Sequence, residues 1–157
     1  MNTTKATIHA RNKMHLSELI EECIKQYGST CDLNHIDVSN VTDMSNVFED
    51  SPFNGSIAQW DTSSVRDMTS MFLNSDFNGS IEQWNTSRVE SMTYMFESSA
   101  FMGHIANWDT SKVQEMTSMF RHTNFCGDLS KWNVGKVRYM NCMFEDSRFD
   151  GNLSAWD

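Results

Sequence analysis

A pattern of 24 residues repeats along this chain without one insertion, and it leaves few folds open. Phe53, Phe77, Phe101, Phe125 and Phe149 share a column, and Gly55, Gly79, Gly103, Gly127 and Gly151 share another two places on. Trp60, Trp84, Trp108, Trp132 and Trp156 follow, then Val65, Val89, Val113 and Val137. Full copies close with Met-x-x-Met-Phe, as at Met68, Met71 and Phe72 or Met92, Met95 and Phe96. A degraded copy with Leu33, Ile36, Val41, Met44 and Phe48 in the matching columns comes first, so the array starts near residue 29. A period of roughly 20–50 residues marks a solenoid or related array, whose units bury their apolar faces only against one another. Such arrays serve as binding surfaces.

The columns divide by chemistry. Seven of them (Phe, Ile/Leu, Trp, Val, Met, Met and Phe) form the expected interior, and their recurrence beside one another makes the methionines packing residues. Trp60-Asp61-Thr62 and its copies alternate apolar or small with acid or amide, and Val38 and Val134 replace the threonine. That alternation predicts a short strand, with copies paired in parallel about 4.8 Å apart. Val-x-x-Met-x-x-Met-Phe has a spacing near three, which predicts a tight helical or 3₁₀ turn on the other side of each coil. The column glycine predicts a turn conformation closed to residues with a side chain.

Residues 6–10 alternate Ala6, Ile8 and Ala10 with Thr7 and His9, as a strand does. Leu16, Leu19, Ile20, Cys23, Ile24 and Tyr27 then fall on one helical face, with Gly28 as a stop. The helix stands outside the repeat and predicts a lid over the first coil, whose outer side has no neighbouring unit. Glu18, Glu21 and Glu22 on its polar side weigh against a membrane-surface role. The whole chain, 1–157, reads as one domain: strand and capping helix in 1–28, repeats in 29–157, with the last one incomplete.

The 157 residues carry a net charge of −9, and between 31 and 52 there are five acids and no base. This disfavours a binder of nucleic-acid phosphates, which needs clustered Lys and Arg, and suits a basic protein partner. No apolar run approaches the roughly 20 residues of a membrane span, so no membrane insertion is expected. With no segment of signal-peptide character at the start, a cytoplasmic location is expected. Cys23, Cys31, Cys126 and Cys142 show no C-x-x-C spacing and read as reduced thiols.

The run Asn-Gly-Ser-Ile-x-x-Trp-Asp/Asn-Thr-Ser-x-Val-x-x-Met-Thr-x-Met-Phe, at 54–72 and 78–96, resembles the repeat of BspA-type surface proteins, a divergent branch of the leucine-rich repeats. Leu33 to Met44 is similar to that family's opening copy, and a helix before it is common there. The resemblance implies a β-solenoid of leucine-rich-repeat type, right-handed, with short parallel strands and tight helical turns in 24-residue coils, capped by an N-terminal α-helix. It further implies bacterial surface or lipoprotein relatives, adhesion in some members, and no catalytic residue.

Asp37, Asp61, Asn85, Asp109, Asn133 and Asp157 form the column with the most chemical interest. It could supply a row of oxygen ligands for calcium, aided by Ser39, Ser63, Ser87 and Ser111, or turns in which each Asx side chain bonds its own backbone. The glycine-rich nonapeptide of calcium β-helices is absent, which favours the turns. Array histidines His35, His104 and His122 occupy different columns, so no metal or other cofactor is expected. A hydrolase would need a polar pocket between the helix and the first coil.

The expected function is non-enzymatic binding of another protein, with the candidate surface drawn from Asp37, Asp43, Glu49, Asp50, Asp61 and Asp67 and the basic column Arg88, Lys112 and Lys136. The alternative is an acidic solenoid that mimics nucleic acid and inhibits a DNA-binding enzyme. A continuous acidic stripe would single that alternative out. The last unit stops midway, at Trp156-Asp157, and predicts a homodimer through an open C-terminal coil.

Overall fold

A computed structural model describes residues 6–156, so Met1–Lys5 and Asp157, the final member of the Asx column, lie outside the described residues. Strand β1, Ile8–His9, runs into helix α1, Lys13–Tyr27. The Asn12 side chain accepts the His15 N–H at the start of α1, satisfying a donor that the first turn leaves open. Gly28 ends it at φ 87°, its N–H donating to the Ile24 carbonyl. Leu16, Ile20 and Cys23 are buried, with Leu19 and Ile24 packed against the core. Tyr27, expected on that face, stands 53 % exposed, because it is the last residue of the helix. Ile8, also expected to face inward, is exposed, and only Ala10 of the N-terminal strand pattern is buried. Strand β1 pairs in parallel with β2, Ile36–Asp37, in the first coil.

Beyond β2, the coils repeat one hydrogen-bond scheme. Met68, Ser70, Phe72 and Asn74 donate their N–H groups to the carbonyls of Ser91, Thr93, Met95 and Glu97 at 2.8–3.0 Å. Met44, Asn46, Phe48 and Asp50 do the same to the second coil, and the third and fourth coils continue the ladder as far as Glu145. Parallel pairing accordingly links Asp43, Asp67, Ser91, Glu115 and Tyr139 in succession.

The ladder therefore lies in the Met-x-x-Met-Phe segment, where the spacing predicted a helical turn, and the Trp-Asp-Thr segment, predicted to carry it, has none between array coils. Trp-Asp-Thr contacts use side chains instead. Trp84 Nε1–H donates to the Ile57 carbonyl at 3.1 Å and Thr86 Oγ1–H to the Asp109 carbonyl at 3.1 Å, and the same bonds recur in other coils. The predicted inward orientation of this segment is what the structure has: Thr62, Thr86 and Thr110 are 1–2 % exposed.

The tight turns that the spacing predicted are present as well: the Met71 and Leu73 N–H groups donate to the Met68 and Ser70 carbonyls, three residues back, at 3.2 and 3.1 Å, so the segment turns and carries the ladder at once. Two backbone positions per coil combine the two. Asn46, Ser70, Tyr94, Ser118 and Cys142 adopt φ between 53° and 63°, as do Asp50, Asn74, Ser98, His122 and Asp146 between 51° and 55°. Each left-handed residue reverses the strand's alternation, so inward side chains recur at intervals of three and one. The column glycines, by contrast, do not have positive φ. Their constraint is steric: a Cβ on Gly79 would lie 2.7 Å from the Phe77 ring, and one on Gly103 2.8 Å from Phe101. Phe72 and Phe96 stack at 5.6 Å, and Trp60 and Trp84 at 6.3 Å, so identical aromatic rings run through the core as columns.

Candidate interaction surface

The sequence-derived candidates fall on separate columns. Asp61, Asp109 and their neighbours sit in Asx turns: the Ser63 N–H donates to Asp61 Oδ1 at 3.0 Å, and Ser87, Ser111 and Gly135 bond Asn85, Asp109 and Asn133 likewise. The Ser63 hydroxyl and amide hold the Asp61 carboxyl below its ordinary range, and Ser111 does so for Asp109. Among the described residues no three His, Cys, Asp or Glu side chains converge as a metal site. Arg88, Lys112 and Lys136 are exposed beside this column.

Asp43, Asp67, Glu49 and Asp50 lie instead on the ladder face. Two of the candidate acids are engaged by the N-terminal segment, which the sequence did not reveal. Asp37 Oδ2 meets His9 Nδ1 at 2.6 Å, and Asp43 Oδ2 meets Lys13 Nζ at 3.3 Å. The Asp37 carboxyl is lowered first by the Ser39 amide, with the Ser39 hydroxyl and His9 adding to it. For Asp43 burial pushes upward, but hydrogen bonds from Ser45 and Lys13 outweigh it. Asp67 accepts the Thr69 N–H at 2.8 Å.

Outward columns on this face mix signs. Arg66 bonds Glu90 at 2.7 Å, and Arg121 bridges Glu145 at 2.6 Å and Glu97 at 3.2 Å across three coils. Exposed pairs of this kind contribute little to stability, but they interrupt any acidic stripe. Tyr94 and Tyr139 project from the same face at 39 % and 56 % exposure. No motif marks either one, although each breaks its column: Tyr94 stands where others have Asn, Ser or Cys, and Tyr139 where others have Asp, Ser or Glu. Cys142, in this region, is hydrogen-bonded to Glu145, which pushes its thiol above the ordinary value and makes it a poor nucleophile at neutral pH.

A groove of about 380 Å³ runs between α1 and the first coil, where the sequence reasoning asked for a pocket. Ser17, Glu21 and Lys25 of α1 face Asn46, Val47 and Glu49 across it, over apolar Ile20, Ile24 and Pro52. No histidine is among the described residues lining it.

The model of the family described as "Mycoplasma protein of unknown function, DUF285" matches residues 14–103 and again 74–157. The chain belongs to this family. The two DUF285 matches overlap within the array, as a repeated unit requires, and the first begins inside α1. No curated protein and no solved structure matches the chain.

Proposed function

We propose that this DUF285 chain is a β-solenoid of leucine-rich-repeat type, akin to BspA-type repeats, and acts as a non-enzymatic module that binds another protein. The observation that carries the reading is the division between columns. Phe72, Phe96 and Phe120 are identical and buried in successive coils, whereas the partly or fully exposed column Asp43, Asp67, Ser91, Glu115 and Tyr139 changes from coil to coil on the ladder face, and Tyr94 protrudes where Ser70 and Ser118 are buried. A rigid interior holding a varied outer face suits recognition of one partner. Tyr94 and Tyr139 are its exposed aromatic anchors, a residue type favoured at binding hot spots. The mixed signs of Arg66, Glu90 and Arg121 favour a protein surface over the nucleic-acid-mimic alternative.

A second copy of the chain is a further partner, through the fifth coil. Met140 is 38 % exposed, while Met68, Met92 and Met116 in its column are fully buried.

Photo-cross-linking side chains at positions 94 and 139 test the main reading in the native host. A discrete protein should be captured at both, and Tyr94→Ser should weaken its binding to the purified chain without loss of fold, since Ser70 and Ser118 occupy the same column. Equal affinity for the Tyr94→Ser variant would count against this face.

A further inference from the structure

The ladder has a direction, and its first row leaves acceptors over. In every later row the carbonyls point back to the N–H groups of the coil before: those of Asp67, Thr69, Met71 and Leu73 each accept a bond of 2.9–3.0 Å from the first coil. By the same repeat, the carbonyls of Asp43, Ser45, Val47 and Glu49 point away from the array, and among the described residues no N–H donates to them. They lie along the edge that α1 borders. Lys13 Nζ reaches the Ser45 hydroxyl at 2.8 Å at one end, and Val47 and Glu49 line the 380 Å³ groove further along. An unpaired edge of this kind is a template for another strand.

A neighbouring segment of the first coil already receives a strand in this way. On the same outer side of the first coil, Ile8 and Ala10 donate their N–H groups to the His35 and Asp37 carbonyls at 3.0 and 2.9 Å. Strand β1 thus covers the segment at 35–37, whereas among the described residues no strand pairs with the 43–49 row that borders the groove. Its lining carries Glu21 and Glu49 against the single basic Lys25, and carbonyl oxygens add further negative potential. Ile20, Ile24 and Val47 supply an apolar floor.

We propose that this groove receives an extended, basic peptide segment of a partner protein, added as a parallel or antiparallel strand to the first row of the ladder. The segment's alternate N–H groups donate to the carbonyls of Ser45, Val47 and Glu49, an apolar side chain enters between Ile20, Ile24 and Val47, and a Lys or Arg meets Glu21 and Glu49. Main-chain bonds then supply affinity and the side-chain pockets supply selection. The inference rests on the reading of the chain as a protein-binding module and names a second contact region for it, apart from Tyr94 and Tyr139.

The test uses the full chain and a synthetic peptide, acetyl-Lys-Val-Thr-Val-Lys-Val-Thr-amide, beside the same peptide N-methylated at alternate amides. Fluorescence anisotropy reads affinity, and ¹³C carbonyl shifts read the location. Shifts are expected at Ser45, Val47 and Glu49, with roughly tenfold weaker binding for the N-methylated peptide and for the exposed double variant Glu21→Lys, Glu49→Lys. No binding at millimolar peptide, binding indifferent to N-methylation, or shifts confined to the outer ladder face would each overturn the proposal. The N-methylation arm involves no substitution in the protein and stays decisive if the double variant does not fold. If a native partner is still captured through positions 94 and 139 while the peptide fails, the groove alone is refuted, whereas capture of no partner would refute the binding module itself.

Discussion

The glycine column and the two left-handed columns assign opposite tasks to residues that a sequence reader would exchange. Gly79 is required by the Phe77 ring that its Cβ would meet at 2.7 Å, whereas Ser70, Asn74 and Tyr94 accept positive φ without being glycine. Gly79→Ala should therefore cost about 1–3 kcal/mol, the usual range for overpacking, measurable by urea denaturation. An unchanged midpoint would mean that the ring gives way. The Asx turns make a second residue-level expectation. Asp61 and Asp109 have folded-state pKa values depressed below the ordinary 3.8, so their contribution is complete above that value and is lost as the pH falls through the folded values. Melting temperature should drop below about pH 4, and Asp61→Asn with Asp109→Asn, which copies Asn85 and Asn133, should make the drop shallower. An identical pH profile in the double variant would contradict the turns' role.

Among the elements, α1 tests the capping argument. Leu16 is fully buried against the array, and Leu16→Ala should cost about 2–5 kcal/mol and speed amide exchange first in the first coil. Loss of that much stability with no local effect there would speak against a lid. This helix was legible in the sequence because Leu16, Ile20 and Cys23 recur at helical spacing and Gly28 follows. The interior columns were legible for a similar reason, since Phe72 and Trp84 repeat unchanged. Ladder placement was not. The left-handed Ser70 breaks the alternation between Met68 and the Met71-Phe72 pair, and serine carries no preference for positive φ that would announce it; Asn74 and the Asp and His of its column do favour that region, but they follow the segment. The glycine column sits in a Phe-x-Gly pattern that is plain in the sequence, but the pattern does not show that the Phe77 ring folds back over Gly79, so a turn is the reading that the sequence alone supports. On the candidate surface, Asp37 and Asp43 were legible as acids, but their engagement by His9 and Lys13 depends on how β1 and α1 dock, which no local pattern encodes.

At the scale of the molecule, the fifth coil carries the expectation of self-association. Met140 and Tyr139 are exposed there, and the Met140, Cys142, Phe144 and Asp146 N–H groups have no acceptor among the described residues. Light scattering at micromolar concentration should give twice the 18.1 kDa chain mass, and Met140→Lys should return it to one. A mass of one chain for the parent protein would remove the proposal. The central claim, that the coils stack through the Met-x-x-Met-Phe segment and so present one ordered outer face, is open to direct measurement. Through-hydrogen-bond scalar couplings in a ¹⁵N,¹³C-labelled sample should connect the Met68, Ser70 and Phe72 amide nitrogens with the Ser91, Thr93 and Met95 carbonyl carbons. Couplings that instead join the backbone of 60–62 to that of 84–86, with none between 68–72 and 91–95, would contradict it.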